Sequence, residues 1–392
     1  MHTLFAALAL AVVSADIDGG TGEIAVEAAP SDAGTEVAPS SPQALLGAQA
    51  LSKEDVAPTL RIFQGGLVEL TAGGQLQIQA ALYTGAAALI SNGDLASQPG
   101  FRVRRAGFGL AAKLGEHVGA LLSINVLGTG PDVSVVGNVQ LTWGIAHWLN
   151  LTAGTSRVPF SRAALASSST MLALERPTAV NQITPTRRLG LSAEGQVFDG
   201  RLAYLAAVMN GTEGLSFGNQ FGGILAGVRV VGTLLGRPTV GELNTQGLAV
   251  AASFAHDEGP GVRRDAVSGD VLAALLGITL QLEFLYDRSS PVAVPTVAPA
   301  ALSTTERMGF YAEAGYTFEL FNFAFQLTAR GEYYDDNTRI QDAGDLVLVS
   351  GGLNMKLFKD YARAQLQYVF RKERFGIERP NDVLALSVQG AF

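Results

Sequence analysis

Residues Val383 to Phe392 read VLALSVQGAF and close the sequence. Leu384, Leu386, Val388, Gly390 and Phe392 fall on one face of an extended chain, and Ala385, Ser387, Gln389 and Ala391 on the other. Period-two alternation of this kind marks a strand with one apolar and one polar side. A soluble sandwich gains little from stopping mid-strand on an exposed Phe. A transmembrane β-barrel does gain, because its last strand closes against its first and ends at the aromatic membrane interface. The terminal strand of a soluble sandwich stays open on this stretch alone.

Apolar residues make up 48% of the 392 positions, and mean hydropathy is +0.25. Beyond the amino terminus no run of about 18 apolar residues occurs, which excludes helical membrane spans. Hydropathy spread as alternation is what barrel strands produce. Cys is absent, which removes thiol catalysis, disulfides and cysteine metal sites. Between Asp16 and Val56 stand eight acidic residues against Lys53 alone, so nearly all of the formal charge of −8 belongs to that segment. No basic surface suggests a nucleic-acid partner.

Residues 1–15, MHTLFAALALAVVSA, read as a cleaved export signal, with Val13 and Ala15 at the peptidase positions and an uncleaved anchor as the alternative. Residues 16–58 are acidic and rich in Ala and Pro, a composition that predicts a disordered periplasmic segment. Residues 59–392 are then the barrel. From Gly74 onward about 16 strands follow, the even number expected of a bacterial barrel: 75–83, 101–113, 117–126, 138–145, 149–156, 188–198, 201–209, 224–231, 248–255, 270–276, 278–287, 308–318, 322–334, 346–358, 361–371 and 383–392. Val271 to Phe284 reads as one strand or two. In QLQIQAALY, Gln75, Gln77 and Gln79 share a face, as residues lining a wet lumen would.

Short connections (114–116, 146–148, 199–200, 319–321, 359–360) alternate with long ones (84–100, 158–187, 210–223, 289–307, 335–345, 372–382). Short periplasmic turns and longer external loops give that rhythm; 234–247 is the exception, a turn that should be short. Trp143, Trp148, Phe198, Phe318, Phe321, Phe358, Tyr361 and Phe392 fall beside the short turns. Tyr83, Phe101, Tyr286, Tyr333 and Phe370 fall at the opposite ends. Two girdles about ten residues apart form an interfacial belt.

FRVRRAGFGLAAKLGEHV (101–118), TAGTSRVPFSRA (152–163), ERP (175–177), TRRLGLSAEG (186–195) and YLAAVMNG (204–211) occur in the order found in the phosphate-selective porins O and P. Lys359-Asp360-Tyr361 as a turn and Asn381-Asp382 before the last strand also fit, so the chain resembles that family. The resemblance implies a bacterial outer-membrane porin, assembled as a homotrimer, with Phe392 read by the barrel-assembly machinery. Gly107 and Ala111 stand where relatives commonly carry Arg and Glu.

With apolar neighbours facing lipid, strand parity turns Arg105, Lys113, Arg229, Arg330, Lys356 and Arg363 inward as pore-lining candidates, together with Glu194, Glu283, Glu313 and Glu332. A mid-depth Arg or Lys on the lipid face would cost about 2–4 kcal/mol. Taken singly, each reads as a solvated wall charge or an ion pair across the lumen. The longest loop, 158–187, is the candidate constriction. Arg157 and Arg162 stand at its start, Glu175 and Arg176 in its middle, and Arg187 and Arg188 at its exit; an ordinary surface loop is the alternative.

The four histidines are dispersed, and neither a metal-spaced cluster nor a phosphate loop nor a nucleophile elbow is present. No enzyme and no cofactor are therefore expected. The expected function is passive diffusion of small hydrophilic solutes and ions through the outer membrane, with an anion or phosphate preference. The alternative is a plugged structural or adhesive barrel whose external loops bind a partner.

Overall fold

A computed structural model describes residues 60–83, 99–115, 117–129, 132–211, 218–219, 222–243, 245–259, 261–292, 303–357, 362–378 and 381–391. The expected signal, the acidic segment, the 359–361 turn, Phe358 and Phe392 lie outside the described residues.

Strands account for nearly all of it. In chain order they are β1 (Leu60–Gly65), β2 (Val68–Tyr83), β3 (Gly100–Leu114), β4 (Val118–Thr129), β5 (Asp132–Ala146), β6 (Leu149–Ser156), β7 (Arg188–Val197), β8 (Leu202–Asn210) and β9 (Ile224–Gly236). The second half adds β10 (Gly247–Gly259), β11 (Val262–Leu275), β12 (Ile278–Pro291), β13 (Thr305–Leu320), β14 (Phe323–Asp335), β15 (Leu346–Leu357), β16 (Ala362–Glu373) and β17 (Val383–Ala391). Two short helices, α1 (Arg162–Leu165) and α2 (Thr178–Ile183), stand between β6 and β7.

Each strand from β2 to β17 pairs antiparallel with the next, and β17 returns to β2 from Val383↔Tyr83 to Ala391↔Gln75. The result is a closed antiparallel barrel of 16 strands, which leaves no unpaired edge along that seam. Each of the 16 expected strands corresponds to one of β2–β17. The ambiguous stretch around residue 275 is two strands, because Leu276 and Gly277 both take positive φ (51° and 81°). That backbone makes the mirror-image two-residue turn whose twist matches a hairpin.

One strand was not expected. β1 pairs with residues 68–72 of β2, while β3 covers the other edge of β2 over 68–81. β1 therefore continues the position of β17 below its last described residue. The seam between first and last strands is extended by a segment that precedes them both.

Burial alternates along the wall as lipid-facing strands require. In β17 every odd position from Val383 to Ala391 is buried and every even one exposed, so the apolar Leu384, Leu386 and Val388 face outward. Leu76, Ile78, Leu82, Leu122, Ile124 and Phe284 continue an exposed apolar band on other strands. Such a band far exceeds the apolar patches a soluble surface carries. Exposed Trp143, Trp148, Phe198 and Phe321 sit at the short-turn end. There Phe318 stacks on Tyr316 and Phe325 at 5.7 and 5.8 Å, and at the other end Phe310 meets Tyr333 at 5.5 Å.

The long turn after β9 is long because it folds inward. The Gly241 amide donates to Thr279 Oγ1 at 3.3 Å, on the buried face of β12.

Candidate functional site in the barrel interior

The segment 157–187 leaves β6, crosses the interior and returns to β7. Its apolar side chains reach walls far apart around the barrel. Phe160, Val180 and Ile183 pack with Leu285 of β12, Tyr311 of β13 and Tyr334 of β14. Leu165 packs on Ala203 and Leu205 of β8 and Val231 of β9. Leu174 packs on Ala81 of β2 and on Val383 and Ala385 of β17. Phe160, Leu165 and Ile183 are 0% exposed. This loop is folded into the barrel, and it is not the surface loop of the alternative reading.

Burying a loop backbone requires partners for its amides and carbonyls, and the wall supplies them. The Ser161 side chain caps α1 by accepting from the Ala164 amide at 3.2 Å, while Glu283 accepts from the Arg162 amide at 3.1 Å. Glu332 accepts from Thr178 N at 2.7 Å, which places a carboxylate at the first turn of α2, where amides lack helical partners. Gln367 accepts from the Leu174 amide at 2.8 Å, and Asn354 donates to the Leu172 carbonyl at 2.7 Å. Arg363 donates to the carbonyls of Ser169 and Met171 at 3.0 and 2.5 Å.

Two charge clusters hold the loop. In the first, Glu175 receives Arg104 at 2.7 Å, Arg105 at 2.8 Å and Gln79 at 2.9 Å, with Arg102 at 3.6 Å. Arg330 donates to the Glu175 carbonyl at 2.7 Å. Burial alone would raise the Glu175 pKa. The guanidiniums of Arg104 and Arg105 outweigh it and bring the pKa down to about 2. In the second cluster Asp270 of β11 binds Arg162 of the loop at 2.5 Å and Arg229 of β9 at 2.6 Å. Arg229 also donates to the Phe160 carbonyl at 3.2 Å.

The pore-lining candidates are distributed as follows. Arg105, Arg229, Arg330 and Arg363 are buried and bonded to the loop, as are Glu283 and Glu332. Glu313 is buried and pairs with Arg330 at 3.5 Å. Glu194 is buried on β7 opposite Asn150. Lys356 is half-buried. Lys113 lies at the short-turn end with its side chain 63% exposed, 3.9 Å from Glu69. Gln75, Gln77 and Gln79 depart from the wet-lumen expectation: Gln75 donates to Ser168 of the loop at 3.1 Å, Gln79 to Glu175, and Gln77 to Ser387 at 3.1 Å. The loop's own polar groups stand where lumen water was expected.

The constriction candidates are engaged in folding the loop. Arg157 donates to the carbonyls of Leu165 and Ala166 at 2.7 and 3.1 Å. Arg176 donates to those of Ala163 and Ala166 at 2.8 and 2.7 Å. Arg162 holds Asp270. Arg187 reaches Asn138 Oδ1 at 2.9 Å, and Arg188 lies 3.8 Å from Asp257.

Strand parity missed Arg102 and Arg104, which simple alternation turns toward lipid. The register of β3 slips between Arg105 and Val103, where Gln77↔Arg105 is followed by Ile78↔Val103. That bulge brings Arg102, Arg104 and Arg105 together on the interior side. The signal was legible in FRVRRAG: three arginines within four residues of a spanning strand require an irregularity to avoid lipid. Asp270 and the pair of Arg264 and Arg307 around Asp287 were missed as well, because their partners are distant in sequence.

Solved structures share this fold at low identity. The outer-membrane channel DcaP of Acinetobacter baumannii aligns with a TM-score of 0.57 and 12% identity, over 85% of this chain and 100% of that one. An anion-selective porin from Comamonas acidovorans gives 0.56 and 12%, over 83% and 100%. OmpF of Salmonella typhi, solved in complex with daunomycin, gives 0.56 and 12%, over 85% and 100%. No curated protein matches the sequence. The family model of phosphate-selective porins O and P matches residues 90–226, the stretch that holds the arginine bulge and the whole interior loop.

Proposed function

We propose that this chain is a bacterial outer-membrane porin through which small hydrophilic solutes and ions diffuse passively. The observation that carries the reading is a closed 16-strand barrel, apolar outside, whose charged interior is crossed by one anchored loop. That loop sets the aperture, and ions and solutes exchange part of their hydration for the polar groups of wall and loop. The pore-lining residues are the interior charges of β3, β7, β9 and β12–β16, with the loop arginines placed to filter by sign. Because most of these charges are paired, selectivity is a modest anion preference, phosphate included, and no covalent step is catalysed. The assembly is a homotrimer surrounded by outer-membrane lipid, and Phe392 is the residue read by the assembly machinery. Residues 1–15 act as an export signal and residues 16–58 as a periplasmic segment.

Liposome swelling and planar-bilayer recording with refolded protein test this. Uptake that falls steeply with sugar size, and a reversal potential of anion sign across a salt gradient, are expected. Strong cation preference would overturn the assignment of the interior arginines. A second reading, a plugged barrel that binds a partner, is favoured by Phe160, Leu165 and Ile183, which fill the interior at 0% exposure. Folded protein without any solute uptake would select it.

A further inference from the structure

The segment 336–345, on the side of the long connections, joins β14 to β15 and is not used by the pore. Here the carboxylates of Asp335, Asp336 and Asp345 each bring an oxygen within 4.8 Å of the others. An acidic cluster of this kind ordinarily faces water. Two of these three do not: Asp335 is 9% exposed and Asp345 1%, while Asp336 is half-buried.

The hydrogen bonds of the cluster are unevenly shared. Asp335 accepts from the Asn337 amide at 3.0 Å and from the Tyr333 hydroxyl at 3.2 Å. Oδ1 of Asp345 and Oδ1 of Asp336 are buried without any hydrogen bond. A carboxylate oxygen removed from water with no donor is costly unless a cation meets it. The nearby arginines have other partners as well. Arg307 lies 2.6 Å from Asp287, Arg371 faces Glu373 at 3.8 Å, and Arg374 rests over the Tyr333 and Phe375 rings at 5.6 and 5.3 Å.

Oxygens that all lie within 4.8 Å of one another are close enough to share one divalent ion. An oxygen-only donor set on a short acidic segment suits a hard cation rather than zinc. Asp336 also lines a cavity of about 290 Å³ with Gln182, Tyr334 and the two arginines Arg307 and Arg371, large enough for an ion and its remaining waters on the carboxylate side. We propose that Asp335, Asp336 and Asp345 form a site for a hard divalent cation of the calcium type, which ties segment 336–345 to the end of β14.

Terbium(III), which replaces calcium at oxygen sites, is the probe, with full-length protein refolded in detergent. Tyr333 and Tyr334 adjoin the site and act as sensitising donors. Saturable tyrosine-excited terbium luminescence at one ion per chain is expected, displaced by calcium. It should weaken at least tenfold in Asp336→Asn/Asp345→Asn. Equal luminescence in that variant, or no saturable signal from the folded protein, overturns the proposal. Should the double variant fail to fold, the native chain decides: calcium must raise its urea midpoint relative to chelator, and an unchanged midpoint overturns the site.

Discussion

Replacing Glu175 with Gln keeps the side chain's shape and removes the charge on which Arg104 and Arg105 converge. The carboxylate is 6% exposed, so solvent screening is small. Its pKa falls from 4.5 to about 2 in the folded protein, which corresponds to about 3 kcal/mol of loop docking at neutral pH. Leaving two or three buried guanidiniums without their carboxylate costs a similar ~3–5 kcal/mol. Every 1.4 kcal/mol is tenfold, so the ratio of docked to released loop should fall by about two orders of magnitude. Arg162–Asp270 and the Glu332 cap still hold the two ends, and the released part is therefore the middle of the loop. The assay is single-channel recording in planar bilayers, where Glu175→Gln should show larger or noisier open states than the native chain. Because the folded pKa is the depressed one, the stabilisation is present above pH 4.5. It declines as pH falls and is gone below about 2, so the native protein should approach the variant only in strong acid. Identical conductance and noise in native and variant protein at neutral pH would refute the anchoring role.

Further outcomes follow from other contacts. Asp270→Asn strands Arg229, which is 0% exposed, and should lower stability in urea by about 3–5 kcal/mol; an unchanged midpoint would show that the pair is dispensable. Leu386→Arg puts a charge on the lipid face near the middle of β17 and should cost about 2–4 kcal/mol in folding into lipid vesicles; an unchanged folding free energy would contradict the outward face. Gly154 has φ of +133°, and an added Cβ would lie 2.0 Å from the Val139 carbonyl oxygen; Gly154→Ala should reduce the folded, heat-modifiable fraction on gels, and full recovery of that fraction would contradict the register of β5 and β6.

The barrel was legible because its signal is local and repeated. Leu384, Leu386 and Val388 alternate with Ala385, Ser387 and Gln389, and the same pattern recurs in each spanning strand, so the strand count needed no distant contact. The connections were legible for a similar reason, since turn length is read directly from the chain. Parity failed only where the period itself breaks, at the bulge beside Arg104. The strand β1 was hidden because LRIFQG carries no clean alternation, and its pairing is decided by the vacant edge of β2. The interior was the least legible part. Gln75, Gln77 and Gln79 are equally suited to water or to Ser168 and Glu175, and the choice rests on a loop about 90 residues away. Whether Arg157 and Arg176 face an aperture or their own loop's carbonyls is likewise a tertiary matter.

A folded loop inside a membrane-spanning barrel should set the size of the pore. The most direct measurement compares single-channel conductance of the native chain with that of a chain in which residues 163–182 are replaced by a short Gly-Ser linker. Discrete steps in the native protein, and steps several-fold larger in the shortened one, are predicted. Equal conductance from both folded proteins, or none from either, would contradict the account.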